Sequence, residues 1–150
     1  METAVNAGFK FIQFRVPEPG EAEAVSAYLR TLEPAVSPHR KPDGSLTEKA
    51  KRGQAIFESE AAACTRCHPA PLYTDLKIHD VGTRRPLDKA SEFDTPTLLE
   101  LWRTGPYLHN GEAVTLEEVL VKFNAKDEHG KTSHLSKEEI GALVAYLLSL

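Results

Sequence analysis

The sequence predicts an all-α chain. Apolar residues recur at i, i+3, i+4, i+7 in the stretches 21–32 and 140–147, which makes one apolar stripe per helix. Residues that cap helix starts stand ahead of several such stretches. Period-two alternation is scarce, and "FKFIQFRV" (9–16) is the best strand-like piece.

Taken in order, the first expected helix is "EAEAVSAYLRTL" (21–32), with Val25, Tyr28, Leu29 and Leu32 on its apolar face. Thr47 caps a second, "EKAKRGQAIFES". Thr95-Pro96 opens a short third over "TLLELW", a capping residue followed by proline at the first helical position. Thr115 with Glu118 makes a capping box for "LEEVLVKF". Ser136 with Glu139 makes another for the last helix, where Ile140, Leu143, Val144 and Leu147 form the stripe.

Both "AYLRTL" (27–32) and "AYLLSL" (145–150) close an amphipathic helix with an acidic start. The expected organisation is therefore modular. Residues 1–38 are the closing helix and tail of an upstream module. Residues 39–45, within the Pro-rich, charged stretch "EPAVSPHRKPDGS", are a linker. Residues 46–150 are a complete second module. On that organisation the chain is the C-terminal part of a longer protein, which accounts for a start, "METAVNAGFKFIQF", without the pattern of an export signal.

The 150 residues carry 18 basic and 22 acidic side chains with no Lys/Arg run, which points away from nucleic acid and anionic membrane surfaces. No apolar stretch approaches the ~20 residues of a membrane span. A mildly acidic surface suits a basic partner protein.

Both cysteines lie in "AACTRCHPAP" (62–71). Cys64-Thr65-Arg66-Cys67-His68 fits C-x-x-C-H, the c-type haem attachment sequence. Two thiols about one helical turn apart can each add to one haem vinyl group, and the next residue presents its imidazole to the iron. The competing uses lack their context. A redox C-x-x-C belongs after a strand in a βαβ unit. A structural zinc site needs four ligands, and there is no second cysteine pair. A disulfide across two residues is strained. Through its Nε2, His68 is the expected proximal ligand. Its Nδ1–H then needs an acceptor, expected as a backbone carbonyl of the loop "PAPLYTD", which Pro69 and Pro71 stiffen. One covalent haem c, held by Cys64 and Cys67, places the protein in the periplasm or at the cell surface.

The ordered stretches "CTRCHPAPLYTDLKIHDVGT", "FDTPTLLELWRTGPYLHNGEAVTLEEVL" and "LSKEEIGALVAYLLSL" resemble the C-terminal haem domain of bacterial di-haem cytochrome c peroxidases. They are similar also to the related di-haem enzyme that matures a tryptophylquinone cofactor. The resemblance covers about residues 46–150. It implies an all-α, cytochrome c-like helical domain around one covalently bound haem, preceded by a helical tail of the upstream module. It implies electron transfer, from a small donor to a second haem in the preceding domain where peroxide is cleaved. By the same resemblance His79, Tyr107 and His109 line the pocket or bond the propionates, with Trp102, Arg84 and Arg85 as weaker candidates.

The far side of the iron departs from those relatives. The resemblance places a methionine or a tyrosine where this chain has Phe123, which has no lone pair to give. The only methionine is Met1. Without a His/Met pair the reduction potential falls. Three options follow. A histidine replaces the thioether, with His129 first, His109 second and His134 third. Alternatively the haem is five-coordinate, with Phe123 closing an apolar distal side. Or the ligand comes from the upstream domain. The leading expectation is an electron-transfer domain of a peroxidase-like protein, working with a redox partner protein or a second haem domain. The alternatives are a haem peroxidase with an open or His-gated distal site, and a module that binds a diatomic gas.

Overall fold

A computed structural model describes residues 1–150. Four α-helices carry the architecture: α1 (Glu2–Phe11), α2 (Glu21–Leu29), α3 (Glu48–Phe57) and α4 (Lys137–Leu147). One two-residue antiparallel ribbon joins β1 (Ile78–His79) to β2 (Phe93–Asp94), with Ile78 opposite Asp94 and His79 opposite Phe93. The chain divides into two compact units, Met1–Ala35 and Val36–Leu150.

In the first unit α1 buries Phe9, and α2 buries Ala22 and Ser26. Arg15 closes the turn between them through a bidentate pair with Glu21 at 2.6 and 3.0 Å. Two expectations change here. The strand-like piece 9–16 is the end of α1 followed by irregular chain, because Ile12 N–H and Gln13 N–H stay bonded to Gly8 O and no strand lies beside it. The expected stripe of α2 is inverted: the helix ends at Leu29, and Val25, Tyr28, Leu29 and Leu32 are exposed. The small residues Ala22 and Ser26 form the packed face instead.

The second unit is built on the crossing of α3 and α4. Gly53 lets the two backbones touch there, since a Cβ at 53 would lie 1.9 Å from Ala142 O. Phe57, Leu98, Leu116, Leu120, Ile140, Leu143, Tyr146, Leu147 and Leu150 form the core. Phe57 packs on Tyr73 and Tyr146, ring centres 5.9 and 5.3 Å away, and the two tyrosine hydroxyls meet at 3.1 Å. Arg40, in the stretch 39–45 expected as a linker, and Ser37 just before it bond to the end of this unit. Ser37 Oγ donates to Leu148 O (2.6 Å), and Arg40 donates to Ser149 O (2.8 Å) and Gly44 O (3.0 Å).

The caps act as their sequences require. Thr47 Oγ1 accepts from Ala50 N–H (3.1 Å). Ser136 and Glu139 form a reciprocal capping box. Thr115 and Glu118 do the same ahead of a single wide turn, Glu118–Lys122, whose closing bond runs from Phe123 N–H to Glu118 O (2.9 Å). Thr95-Pro96 opens no helix. The Thr95 hydroxyl and N–H are both spent on Lys77 O (2.9 Å each), so only a 3-10 turn, Leu101–Arg103, forms in that stretch. Replacing Ser136 with alanine is expected to lower stability by about 1 kcal/mol, read as a lower urea midpoint at unchanged slope.

Candidate haem site

Cys64 opens a 3-10 turn, Cys64–Arg66, and Cys67 closes it, with residues 58–63 between this turn and α3. Cys67 N–H and His68 N–H both return to Cys64 O (3.3 and 3.0 Å), so one turn of chain presents both thiols and the imidazole. Ahead of it Ala63 takes a left-handed backbone (φ 59°), and so does Tyr73 (φ 53°) in the loop that follows. Strained residues of this kind persist where the surroundings dictate them, and they cluster at functional sites.

His68 is buried. Its Nδ1–H donates to Tyr73 O at 2.8 Å, the acceptor expected from "PAPLYTD", and this leaves Nε2 with its lone pair. Burial lowers the His68 pKa and keeps the ring neutral, the form that binds a metal. Both cysteines are unpaired thiols. Burial pushes the Cys64 thiol up to about 11 and raises Cys67 as well. Reactive C-x-x-C pairs depress a thiol pKa, and the shift here is in the opposite direction.

His129 faces His68. Their ring centres are 6.3 Å apart with planes at 40°. Metal–imidazole bonds of about 2.0–2.1 Å on either side of one ion, extended to the ring centres, give a separation of about 6 Å. His129 Nδ1 is enclosed and has no hydrogen-bond partner in the chain. Burial, and then the neighbouring His68, pull its pKa down to about 4. Two neutral, facing imidazoles beside two free thiols form a donor set that fits an iron porphyrin.

The loop holding His129 is braced from within. Asn124, 2% exposed, accepts from His129 N–H (2.8 Å) and donates to Gly130 O (3.1 Å) and Thr132 Oγ1 (2.9 Å). Thr132 Oγ1 donates to Leu120 O (2.6 Å). Asp127 accepts from Thr132 N–H, Ser133 N–H and Ser133 Oγ (2.8, 2.9 and 2.5 Å). These bonds, that of the Ser133 hydroxyl first, hold its carboxyl at about 2. Lys131 N–H bonds Ala62 O (2.9 Å), which docks the loop on the segment entering the cysteines. Gly130 makes the approach close: with φ 72°, a Cβ there would be 3.1 Å from Ala62 O and 3.9 Å from Cys64 Sγ. Sequence reasoning ranked His129 first among the histidines and missed this frame. "NAKDEHGKTS" reads as a solvated loop, and its Asn, Asp and Gly are turn formers whose partners show only in three dimensions.

The other candidates have other partners. His79 Nε2–H donates to Asp75 Oδ2 (2.8 Å), and this pair lies beside Cys67, the three ligand atoms all within 4.8 Å of one another. His109 Nε2–H donates to Asp88 (2.9 Å), and its ring stacks on Phe93 at 3.8 Å, so its Nε2 and one ring face are occupied. His134 is exposed. Tyr107 donates to Leu101 O (3.1 Å) and pairs with Ala113. Phe123 lies under cations, Lys122 at 4.8 Å and Arg85 at 5.7 Å from its ring centre. Arg85 is committed to Glu112 at 2.6 Å. Trp102 has an enclosed Nε1–H without a partner, a second orphaned polar atom of the kind a bound cofactor satisfies.

No protein-family model matches the chain. Three curated proteins are similar to it. Hydrazine synthase subunit gamma of Kuenenia stuttgartiensis is 38% identical over 174 residues, 88% of this chain and 49% of that protein. Methylamine utilization protein MauG of Methylophilus methylotrophus is 29% identical, over 85% of this chain and 45% of its own length. A cytochrome-c peroxidase of Denitromonas iodatirespirans is 26% identical, over 85% and 48%. The solved hydrazine synthase of Kuenenia stuttgartiensis superposes with a TM-score of 0.80 at 34% identity, covering 98% of this chain and 60% of that one. The chain is similar to members of the di-haem cytochrome c peroxidase family. It fits the C-terminal haem domain of that family and is a haem domain of a peroxidase-like protein. This haem domain spans about half the length of the curated relatives it matches. Its largely helical fold with one small ribbon agrees with the expected class, and none of its helices is long and apolar enough to cross a membrane.

Proposed function

We propose that the domain transfers electrons through one haem c. Cys64 and Cys67 would hold the porphyrin as thioethers, and His68 and His129 would supply imidazole nitrogens to its iron. The observation that carries this reading is the 6.3 Å separation of the two facing imidazoles. Haem supplies the one-electron redox change. The chain holds the ligands still, excludes water and sets the potential. Two imidazoles give a lower potential than a His/Met pair. With both positions filled from within the chain, peroxide and diatomic gases have no open site, which ranks electron transfer above peroxidase or gas-sensing chemistry.

Covalent haem assigns the protein to the periplasm or cell surface. Residues 1–38 belong to the end of a preceding module, and a second haem domain or a soluble redox protein is the electron partner. His79, Trp102, Tyr107 and His109 serve as pocket or propionate contacts, with Phe123 as apolar wall.

Absorption and EPR spectra of the ferric and ferrous protein test the assignment. A low-spin spectrum indifferent to CO is expected. His129→Ala is expected to turn it high-spin and open it to CO, while His109→Ala leaves it low-spin. A high-spin parent protein that reacts with peroxide would overturn the electron-transfer reading.

A further inference from the structure

We propose that Asn124 is the positioning residue for the distal imidazole: its carboxamide closes residues 124–132 into a clasp that keeps His129 facing His68. The inference rests on His129 being an axial ligand, and it assigns the means by which this chain replaces the side-chain ligand missing at Phe123.

The geometry is specific to that task. A primary amide offers two donors and one acceptor oxygen. Here Oδ1 takes the N–H of His129 itself, and Nδ2 takes the next carbonyl, Gly130 O, and the Thr132 hydroxyl. One buried side chain thus fixes the backbone on both sides of the ligand. The Thr132 hydroxyl spends its own proton on Leu120 O, so the clasp is tied to the wide turn that precedes Phe123. The Lys131 N–H to Ala62 O bond fastens its other side to the chain entering Cys64. The two halves of the iron site are therefore joined through one backbone contact rather than through the iron alone.

A held ligand behaves differently from a loose one. An imidazole whose backbone is held in this way would be presented to a haem iron as an intramolecular ligand at high effective concentration. Outside ligands then compete poorly. Removing Asn124 leaves His129 N–H, Gly130 O and Thr132 Oγ1 short of partners in a buried place, and the loop must open to water to satisfy them.

The test uses the haem-loaded protein and CO. Asn124→Ala is expected to bind CO in the ferrous state at least about tenfold more tightly than the parent, and to show a ferric high-spin fraction in EPR. Thr132→Val should do the same in smaller degree, while Thr132→Ser, which keeps the hydroxyl, should restore the parent spectrum. Ser136→Ala, which weakens the cap of α4, should lower stability without changing the spectrum. If Asn124→Ala does not fold, Asp127→Asn removes the outer brace and is expected to raise CO affinity on its own. Folded Asn124 and Thr132 variants that stay low-spin and indifferent to CO would overturn the clasp. A His129→Ala protein that stays low-spin would overturn the ligand assignment beneath it, a separate outcome.

Discussion

Alanine at position 53 is expected to cost the second unit about 3 kcal/mol or more, the upper end of overpacking penalties. A Cβ there would sit 1.9 Å from Ala142 O, 2.5 Å from Ala142 C and 2.9 Å from Tyr146 Cβ. Two of those atoms are backbone, so no side-chain rotation relieves the overlap, and α3 and α4 must move apart. The cost extends to the site. Helix α3 leads through residues 58–63 to the cysteine turn, and α4 carries Tyr146, whose hydroxyl meets that of Tyr73, the residue that holds His68 through its carbonyl. Gly141, on α4, is the contrast. A Cβ there meets the Lys49 ammonium at 3.3 Å, the far end of a flexible side chain. Gly141→Ala is expected to gain about 0.5–1 kcal/mol from helix propensity. Urea unfolding at constant slope reads both signs. Equal effects at the two positions would show that α3 and α4 do not cross as described.

These two glycines mark what was legible in the sequence. Nothing local separates them, because each lies inside a helix, and only the neighbour across the interface decides. The same division runs through the fold. Thr47, Thr115 and Ser136 cap as read, since the partners of a cap lie within three residues. Thr95 does not, because its hydroxyl and N–H are claimed by Lys77, which precedes β1, and no local rule anticipates that competitor. The stripe of α2 failed for a related reason: spacing showed one apolar face but not that the close contact would fall on Ala22 and Ser26.

At the proposed site, the arrangement around His68 was legible because its parts are adjacent. Cys64, Cys67 and His68 lie within one turn, and the carbonyl that receives His68 follows five residues later. The distal half was legible only as a candidate. His129 follows from the loss of a donor at Phe123, whereas its orientation depends on Asn124, Asp127 and Thr132 closing on themselves. His109 had an equally suggestive loop, yet Asp88 and Phe93 claim its ring.

Cys64→Ala together with Cys67→Ala, matured in a host competent for cytochrome assembly, is expected to yield a chain lighter by one haem and without colour after acid–organic extraction. The two thiols are the only groups in the sequence able to form thioethers, and burial keeps both protonated rather than reactive. The two imidazoles remain in the double variant, since His68 stays bonded to Tyr73 and His129 to Asn124. Any haem it binds is then held by coordination and packing alone, and denaturation releases it. Each single variant keeps one thioether and is expected to retain haem through denaturation, with its absorption bands shifted by the unsaturated vinyl. Mass spectrometry of the denatured chains distinguishes the cases directly. A double variant that still carried haem after denaturation would mean that the attachment lies elsewhere, and the 6.3 Å gap between His68 and His129 would then need another occupant.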